Sequence, residues 1–183
     1  MKKFISLFEK NFTIFITYSF IGWIYELLYF LIVDSKLINR GFLFGPYLPV
    51  YGFGALILYY LLRNFMKKEH KVFNININVI LVFIIIFIVT TIVEYVSHFI
   101  LDTYFDIILW DYSDDFLNIN GRVCLAASRN FAIGGTFLIY LVQPLVDKIN
   151  TKYSNNNIYH IIILSLLIII LSDLLVKIIT LIM

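Results

Sequence analysis

Residues 110–129 read WDYSDDFLNINGRVCLAASR and form the longest polar interruption in an otherwise apolar chain. Three aspartates, two asparagines and two arginines surround one glycine, Gly121, which is a suitable place for a helix to begin. The stretch then returns directly to apolar residues, as expected where a loop outside a bilayer leads into a spanning helix. It therefore predicts the polar mouth of a membrane protein.

The composition of the 183-residue chain excludes an ordinary soluble domain. It is 61% hydrophobic and only 14% charged, with a mean hydropathy of +0.91. The net charge of +2 is too small to indicate a nucleic-acid partner. The single cysteine, Cys124, excludes an internal disulfide. We expect one integral membrane domain over residues 1–183, held together by helix packing.

Apolar runs give the fold class. A helix needs roughly 20 apolar residues to cross a bilayer core of about 30 Å. Since lipid offers no partner to backbone amides, continuous apolar runs without period-two alternation favour helices. The sequence predicts an all-α, polytopic membrane protein with about five transmembrane helices, over residues 11–33, 47–65, 79–101, 121–145 and 158–182.

Basic residues predict the orientation. They concentrate before the first run and around the second and fourth loops, whereas the first loop holds only Lys36 and Arg40, and Arg122 lies beside the third. The positive-inside rule therefore places the amino terminus in the cytoplasm and the carboxyl terminus outside. Loops 34–46 and 102–120 then share the outer face.

Charged residues within the apolar runs fall at one depth in this topology. Glu26, Glu94 and Asp173 each lie about two-thirds along an outgoing helix, and Arg122 and Arg129 lie in the first turns of helix four. An ionised group in hydrocarbon costs about 2.5–3.5 kcal/mol even on the lenient insertion scale, so such groups face one another or water. We predict an outward-facing polar pocket at outer-leaflet depth.

Helical spacing selects the candidate pocket residues. Ser19, Gly22 and Glu26 share one face of helix one, and Glu94 and His98 belong to a polar stripe on helix three. Structural ion pairs between the carboxylates and Arg122 or Arg129 remain an alternative to a functional pocket. The substrate-pocket candidates are Glu26, Asn39, Arg40, Glu94, His98, Asp111, Asn118, Asn120, Arg122 and Ser128.

No cofactor, metal or catalytic residue is predicted. The segment DYSDDFLNING lacks the alternating ligands and distal glutamate of an EF-hand loop. Cys124 and His98 are too few for a zinc site, and no nucleophile-elbow sequence surrounds Ser128.

Prolines and glycines are dense before the second apolar run, over residues 39–54. Proline suits the first turn of a helix, where its missing amide is no loss. This segment predicts a broken or re-entrant entry into helix two, with a stiff outer cap as the alternative.

Several of these motifs together resemble a known family, the bacterial membrane proteins called putative ABC-transporter type IV, or CmpB-like, permeases. The resemblance implies a permease subunit whose ATPase is a separate chain, and this sequence has no GxxxxGK[ST] phosphate-binding motif of its own. It rests on Gly22-Trp23 with Glu26, Asn39-Arg40-Gly41-Phe42-Leu43, Gly45-Pro46, Pro49-Val50-Tyr51-Gly52, Glu94, Trp110-Asp111-Tyr112, Asn118-Ile119-Asn120-Gly121 and Cys124-Leu125.

The leading hypothesis is thus a multi-pass permease or transporter subunit of the bacterial cell membrane. The alternatives are a membrane enzyme or binding protein for a lipid-linked or cell-wall substrate, and a membrane sensor or assembly partner. The expected partner is the lipid bilayer, while a separate ATPase subunit and a homo-oligomer are left open.

Overall fold

The computed structural model describes residues 2–33, 35, 41–72 and 75–182, and most of them are helical. A short antiparallel hairpin, β1 (Lys71–Val72) and β2 (Ile75–Asn76), precedes the third helix. The predicted all-α class is confirmed, since this hairpin has only two residues in each strand. The five helices are α1 (Lys2–Val33), α2 (Pro49–Phe65), α3 (Asn78–Phe105), α4 (Leu125–Tyr153) and α5 (Asn157–Ile182).

Among the described residues, four helices are long and apolar enough to cross a membrane, namely Phe4–Ile32, Asn78–Phe105, Leu125–Tyr153 and Asn157–Ile182. The chain is therefore a multi-pass membrane protein. The remaining helix, α2, has 17 residues, and at 1.5 Å per residue it is about 26 Å long. This is shorter than the hydrocarbon core of about 30 Å, so five spans and the orientation stay predictions.

Helix α3 has two chemically distinct faces. One carries an exposed stripe of large apolar side chains at four-residue spacing, which we call the lipid stripe: Ile80, Ile84, Ile88, Ile92 and Val96. The other is buried within the protein and includes Val82, Ile86, Glu94 and His98. Exposed isoleucines are unfavourable in water but suit lipid. The two ionisable side chains thus lie on the face that is turned away from the lipid stripe.

The chain divides into two compact units whose boundaries lie inside α2 and α4. Unit 1 comprises Met1–Phe53 and Leu145–Met183, and unit 2 comprises Gly54–Pro144. Each unit has its own apolar core. The core of unit 1 contains Phe12, Leu43, Tyr47, Ile163 and Ile170, and that of unit 2 contains Leu58, Leu62, Val82, Ile86 and Ile139.

Within unit 1, α1 and the beginning of α2 approach closely. The amide of Leu48 donates to the Ser19 carbonyl at 3.0 Å, and a Cβ on Gly52 would lie only 2.3 Å from Ser19 Oγ. Glycine is therefore required for this contact. Helix α2 begins at Pro49, as the first-turn preference of proline predicts.

The predicted start of helix four at residue 121 is wrong, because α4 begins at Leu125. Asn120 and Gly121 have φ of 53° and 68°, in the left-handed region that a right-handed helix cannot include. Ile119 and Val123 instead pair as an isolated β-bridge. Arg122 accordingly lies in a loop, and α4 continues to Tyr153, beyond the predicted end at 145.

Candidate functional site

The candidate site in unit 2 is built on the polar face of α3. Thr91, Glu94, Tyr95, His98 and Asp102 recur at three- and four-residue spacing and therefore lie on one side of the helix. The helix ends where Asp106 takes a left-handed conformation, with φ of 52°. The chain then turns into residues 106–124, which we call the pinned loop.

Trp110 connects the pinned loop to α3, and it also connects the beginning of the loop to its end. Its carbonyl oxygen lies 3.0 Å from His98 Nε2, and its indole Nε1 donates to the Arg122 carbonyl at 2.9 Å. The Trp110 and His98 rings also meet edge to face, with centroids 5.4 Å apart. The Trp110 side chain and carbonyl thus link α3 to the two ends of the pinned loop.

Two buried ionisable groups lie beneath the loop. Glu94 is 7% exposed, and its Oε1 accepts a hydrogen bond from the Tyr112 hydroxyl at 3.1 Å. His98 is also 7% exposed, and its Nδ1 is buried without a hydrogen-bond partner among the described residues. One turn away, Thr91 donates to the buried hydroxyl of Ser128 at 2.8 Å. Glu94, His98 and Ser128 are therefore all covered by protein.

Arg122 joins the loop to the end of α3. Its Nη2 lies 3.0 Å from Asp102 Oδ2, and its Nη1 donates to the Tyr95 hydroxyl at 3.3 Å. The guanidinium also lies over the Tyr95 and Phe99 rings, 5.4 and 5.1 Å from their centroids. The Asp102 carboxylate raises the pKa of Arg122. Asp102, which the sequence analysis did not select, is therefore an ion-pair partner of Arg122.

Asp111 and Asn118 give the loop its shape. Asp111 Oδ1 accepts from the amide and hydroxyl of Ser113, at 2.9 and 2.6 Å, and these bonds lower the pKa of Asp111. Asn118 Nδ2 donates to the carbonyls of Ser113 and Asp115, while its Oδ1 accepts from Gly121 N. These hydrogen bonds of Asp111 and Asn118 are all made to other residues of the loop.

Asn120 holds the loop to α3. Its Nδ2 donates to the Tyr95 hydroxyl at 3.0 Å, the same hydroxyl that Arg122 contacts. By contrast, Arg129 is exposed and donates to its neighbour Asn130 at 3.2 Å. The structure thus brings together seven of the ten predicted pocket residues in unit 2: Glu94, His98, Asp111, Asn118, Asn120, Arg122 and Ser128.

Glu26 belongs to unit 1, where it accepts a hydrogen bond from the Tyr51 hydroxyl at 2.5 Å. Gly22 makes this contact possible, since a Cβ there would lie 2.3 Å from Tyr51 Cγ. The Gly22-Trp23…Glu26 motif therefore accommodates a tyrosine from the start of α2. Asn39 and Arg40 lie outside the described residues.

A loop of unit 1 is held by the carboxylate of Asp173. Asp173 on α5 accepts from the amides of Phe44 and Gly45, at 3.1 and 2.8 Å, and from the Tyr47 hydroxyl at 2.5 Å. The available signal was a lone acidic residue in a strongly apolar helix. The partner loop cannot be inferred from spacing because it is 126 to 129 residues away.

Two cavities, of about 200 and 470 Å³, lie in unit 1, and none of the predicted pocket residues that the structure describes lines either of them. The described residues also contain no cluster of three or more His, Cys, Asp or Glu that suits a metal ion. Helix α3 and the pinned loop form a closed, internally bonded assembly.

Comparison with known proteins identifies the family. No curated protein and no solved structure matches the chain. A family model described as Putative ABC-transporter type IV matches residues 13–178, a range that includes every candidate site residue. This match over most of the chain shows that the protein belongs to the family described as Putative ABC-transporter type IV.

Proposed function

We propose that this chain is the permease subunit of a transporter in the bacterial cell membrane. The family supports a transporter component, and the ATP-hydrolysing subunit would be a separate chain. With the amino terminus in the cytoplasm, the pinned loop faces outward. We further propose that the loop and the polar face of α3 are the parts that respond to the transported solute.

The observation that carries this proposal is the buried Glu94 on a membrane-crossing helix. Ionisable groups inside membrane spans are rare, expensive to bury and commonly part of a solute or proton pathway. Glu94 is 7% exposed and lies on the face of α3 opposite the lipid stripe, where the Tyr112 hydroxyl covers its Oε1. At 3.1 Å the Tyr112 hydrogen bond is long for an O–H···O contact, so a solute or a proton can compete with it for Glu94 Oε1.

Loss of the Tyr112–Glu94 hydrogen bond would open the pinned loop in a specific order. Tyr112 would leave Glu94, and the neighbouring Trp110 would release His98, because both residues belong to one short segment. The Arg122–Asp102 pair lies at the far end of the same loop and is partly exposed, with side chains 18% and 35% accessible. It would serve as the hinge-side anchor, which keeps the loop attached during opening.

Replacing Glu94 tests the proposal directly. We expect Glu94→Gln to abolish uptake of any solute that the wild-type chain carries, while the melting temperature stays near the wild-type value, since glutamine keeps the shape and the acceptor for Tyr112. The assay compares uptake of a panel of labelled small solutes by cells that contain or lack the chain. Uptake by Glu94→Gln at the wild-type rate would refute the role of Glu94.

A matched control separates this effect from the loss of any carboxylate. Glu69 is exposed and pairs with Lys71 at 2.6 Å, so Glu69→Gln should transport normally.

The energy source of transport has its own test: the chain is purified from native membranes in mild detergent, and co-purifying subunits are identified. An ATP-hydrolysing partner supports the ABC assignment, whereas uptake by proteoliposomes containing this chain alone, without ATP, contradicts it.

A further inference from the structure

A polar cavity in unit 1 belongs to none of the sites described above. It has a volume of about 200 Å³ and lies between the first turns of α1, the end of α4 and the beginning of α5. Glu9, Lys10, Asn150, Thr151 and Tyr159 are among its lining residues. None of them belongs to the Glu94 site, so the cavity is independent of the proposed permease mechanism.

Two nearly buried side chains in its wall have unused hydrogen-bonding atoms. Glu9 is 6% exposed; its Oε1 lies 2.5 Å from His160 Nδ1, but its Oε2 is buried without a hydrogen-bond partner among the described residues. Asn150 is 7% exposed, and its Nδ2 is likewise buried and unpartnered. Leaving such groups unpaired is costly, most of all for a carboxylate.

The Asn150 amide is fixed in this orientation by its neighbours. Its Oδ1 accepts a hydrogen bond from the Tyr159 hydroxyl at 2.7 Å. That hydroxyl in turn lies 2.5 Å from Thr13 Oγ1. Because the oxygen of the amide is engaged by Tyr159, its nitrogen remains as the donor for a ligand. The wall thus offers one acceptor, Glu9 Oε2, and one donor, Asn150 Nδ2.

The local charge favours a cation. Lys10 Nζ lies 3.4 Å from Asp147 Oδ1, so these two charges offset each other. The carboxylate in the wall is Glu9, whose Oε1 contacts His160 Nδ1 and whose Oε2 has no hydrogen-bond partner among the described residues. No cluster of three or more His, Cys, Asp or Glu that suits a metal ion occurs among the described residues. A monovalent ligand with N–H donors fits better.

We propose that the cavity binds a small primary ammonium group that carries an oxygen acceptor close by. The ammonium would donate to Glu9 Oε2, and the oxygen would accept from Asn150 Nδ2. At about 30 Å³ per water molecule, the cavity holds the equivalent of about six or seven waters, enough for a small amino alcohol. The same chemistry occurs in free ethanolamine and in the headgroup of phosphatidylethanolamine, and in the predicted topology the helix ends around the cavity lie at the cytoplasmic surface of the membrane.

The test compares ethanolamine with choline, which has the same charge but no N–H donor. The full chain is purified into phosphatidylcholine nanodiscs, and the melting temperature is measured with increasing concentrations of each chloride salt at constant pH and ionic strength. We expect a saturable rise with ethanolamine and none with choline, because a ligand that binds the folded state stabilises it. Equal shifts with both salts, or no shift with ethanolamine, would overturn the assignment.

Nanodiscs that contain phosphatidylethanolamine distinguish the two sources of the ligand. If the headgroup occupies the cavity, these nanodiscs raise the melting temperature and free ethanolamine adds nothing further. If the free amine is the ligand, its shift has the same size in both lipid mixtures. Either outcome supports the site and identifies its occupant.

Variants locate the binding in this cavity. Glu9→Gln should lose the ethanolamine shift, since it removes the charge while keeping the side-chain shape. Glu69→Gln, the same change at an exposed position in unit 2, should retain it. An ethanolamine shift that persists in Glu9→Gln would contradict the proposal. If Glu9→Gln does not fold, the ethanolamine–choline comparison on the wild-type chain still decides the question.

Discussion

Replacing Gly121 with alanine should loosen the pinned loop. Gly121 has φ of +68°, its carbonyl accepts from Tyr112 N at 2.8 Å, and its amide donates to Asn118 Oδ1 at 3.2 Å. A Cβ at this position would lie 2.5 Å from Ser113 Oγ and 2.9 Å from Asp111 Oδ1. Alanine would therefore disturb both the backbone conformation and the turn that Asp111 closes.

The magnitude follows from the backbone alone. A left-handed conformation costs an L-residue about 1–2 kcal/mol. The smaller conformational freedom of alanine in the unfolded chain returns about 0.4–1 kcal/mol. The net destabilisation is therefore roughly 1 kcal/mol before the steric clash is added, which corresponds to about a fivefold change in an equilibrium constant.

Hydrogen exchange measures this change where it occurs. We expect the amides of Tyr112 and Ile119 to exchange at least about fivefold faster in Gly121→Ala, while amides of α5 are unchanged. Gly134→Ala is the matched control, because a Cβ there meets nothing within 4 Å and the residue lies within α4. It should leave the loop amides unaffected. Wild-type exchange of the loop in Gly121→Ala would refute the reasoning.

Two further predictions test orientation and packing. Ser113→Cys should react with an impermeant thiol reagent on intact cells, against little background from Cys124, which is 3% exposed; protection of the new thiol would reverse the predicted orientation. Gly22→Ala should lower the melting temperature, because its Cβ would overlap the Tyr51 ring at 2.3 Å and overpacking costs about 1–3 kcal/mol. Gly54→Ala, whose Cβ would lie 3.9 Å from Val93 Cγ1, is its control, and equal stability of the two variants would contradict this account.

Local rules predicted the helices well because each apolar run must satisfy its own backbone in lipid. One error came at residue 121, where a glycine after a polar stretch was interpreted as a helix start. Asn120 and Gly121 share left-handed conformations, and the helix is delayed to Leu125. A sequence pattern does not distinguish a glycine that starts a helix from one that reverses a loop.

The candidate site also contains features that the sequence predicted and features that it did not. Spacing on α3 correctly grouped Glu94 with His98, since residues four apart share a helix face. It did not predict that Arg122 pairs with Asp102, or that Asp111 is engaged by Ser113. Those partners depend on the path of the pinned loop, which is set by a few backbone angles.

The sequence by itself determined that this is a helical membrane protein with its polar residues gathered around residues 110–129. Hydrophobicity and helical period are properties of short segments, so they are visible without a structure. Only the tertiary structure decided which polar groups are covered and which are used within loops. Glu94 beneath Tyr112 and Glu9 beside His160 are both carboxylates in apolar helices, and they differ only in what the folded chain brings against them.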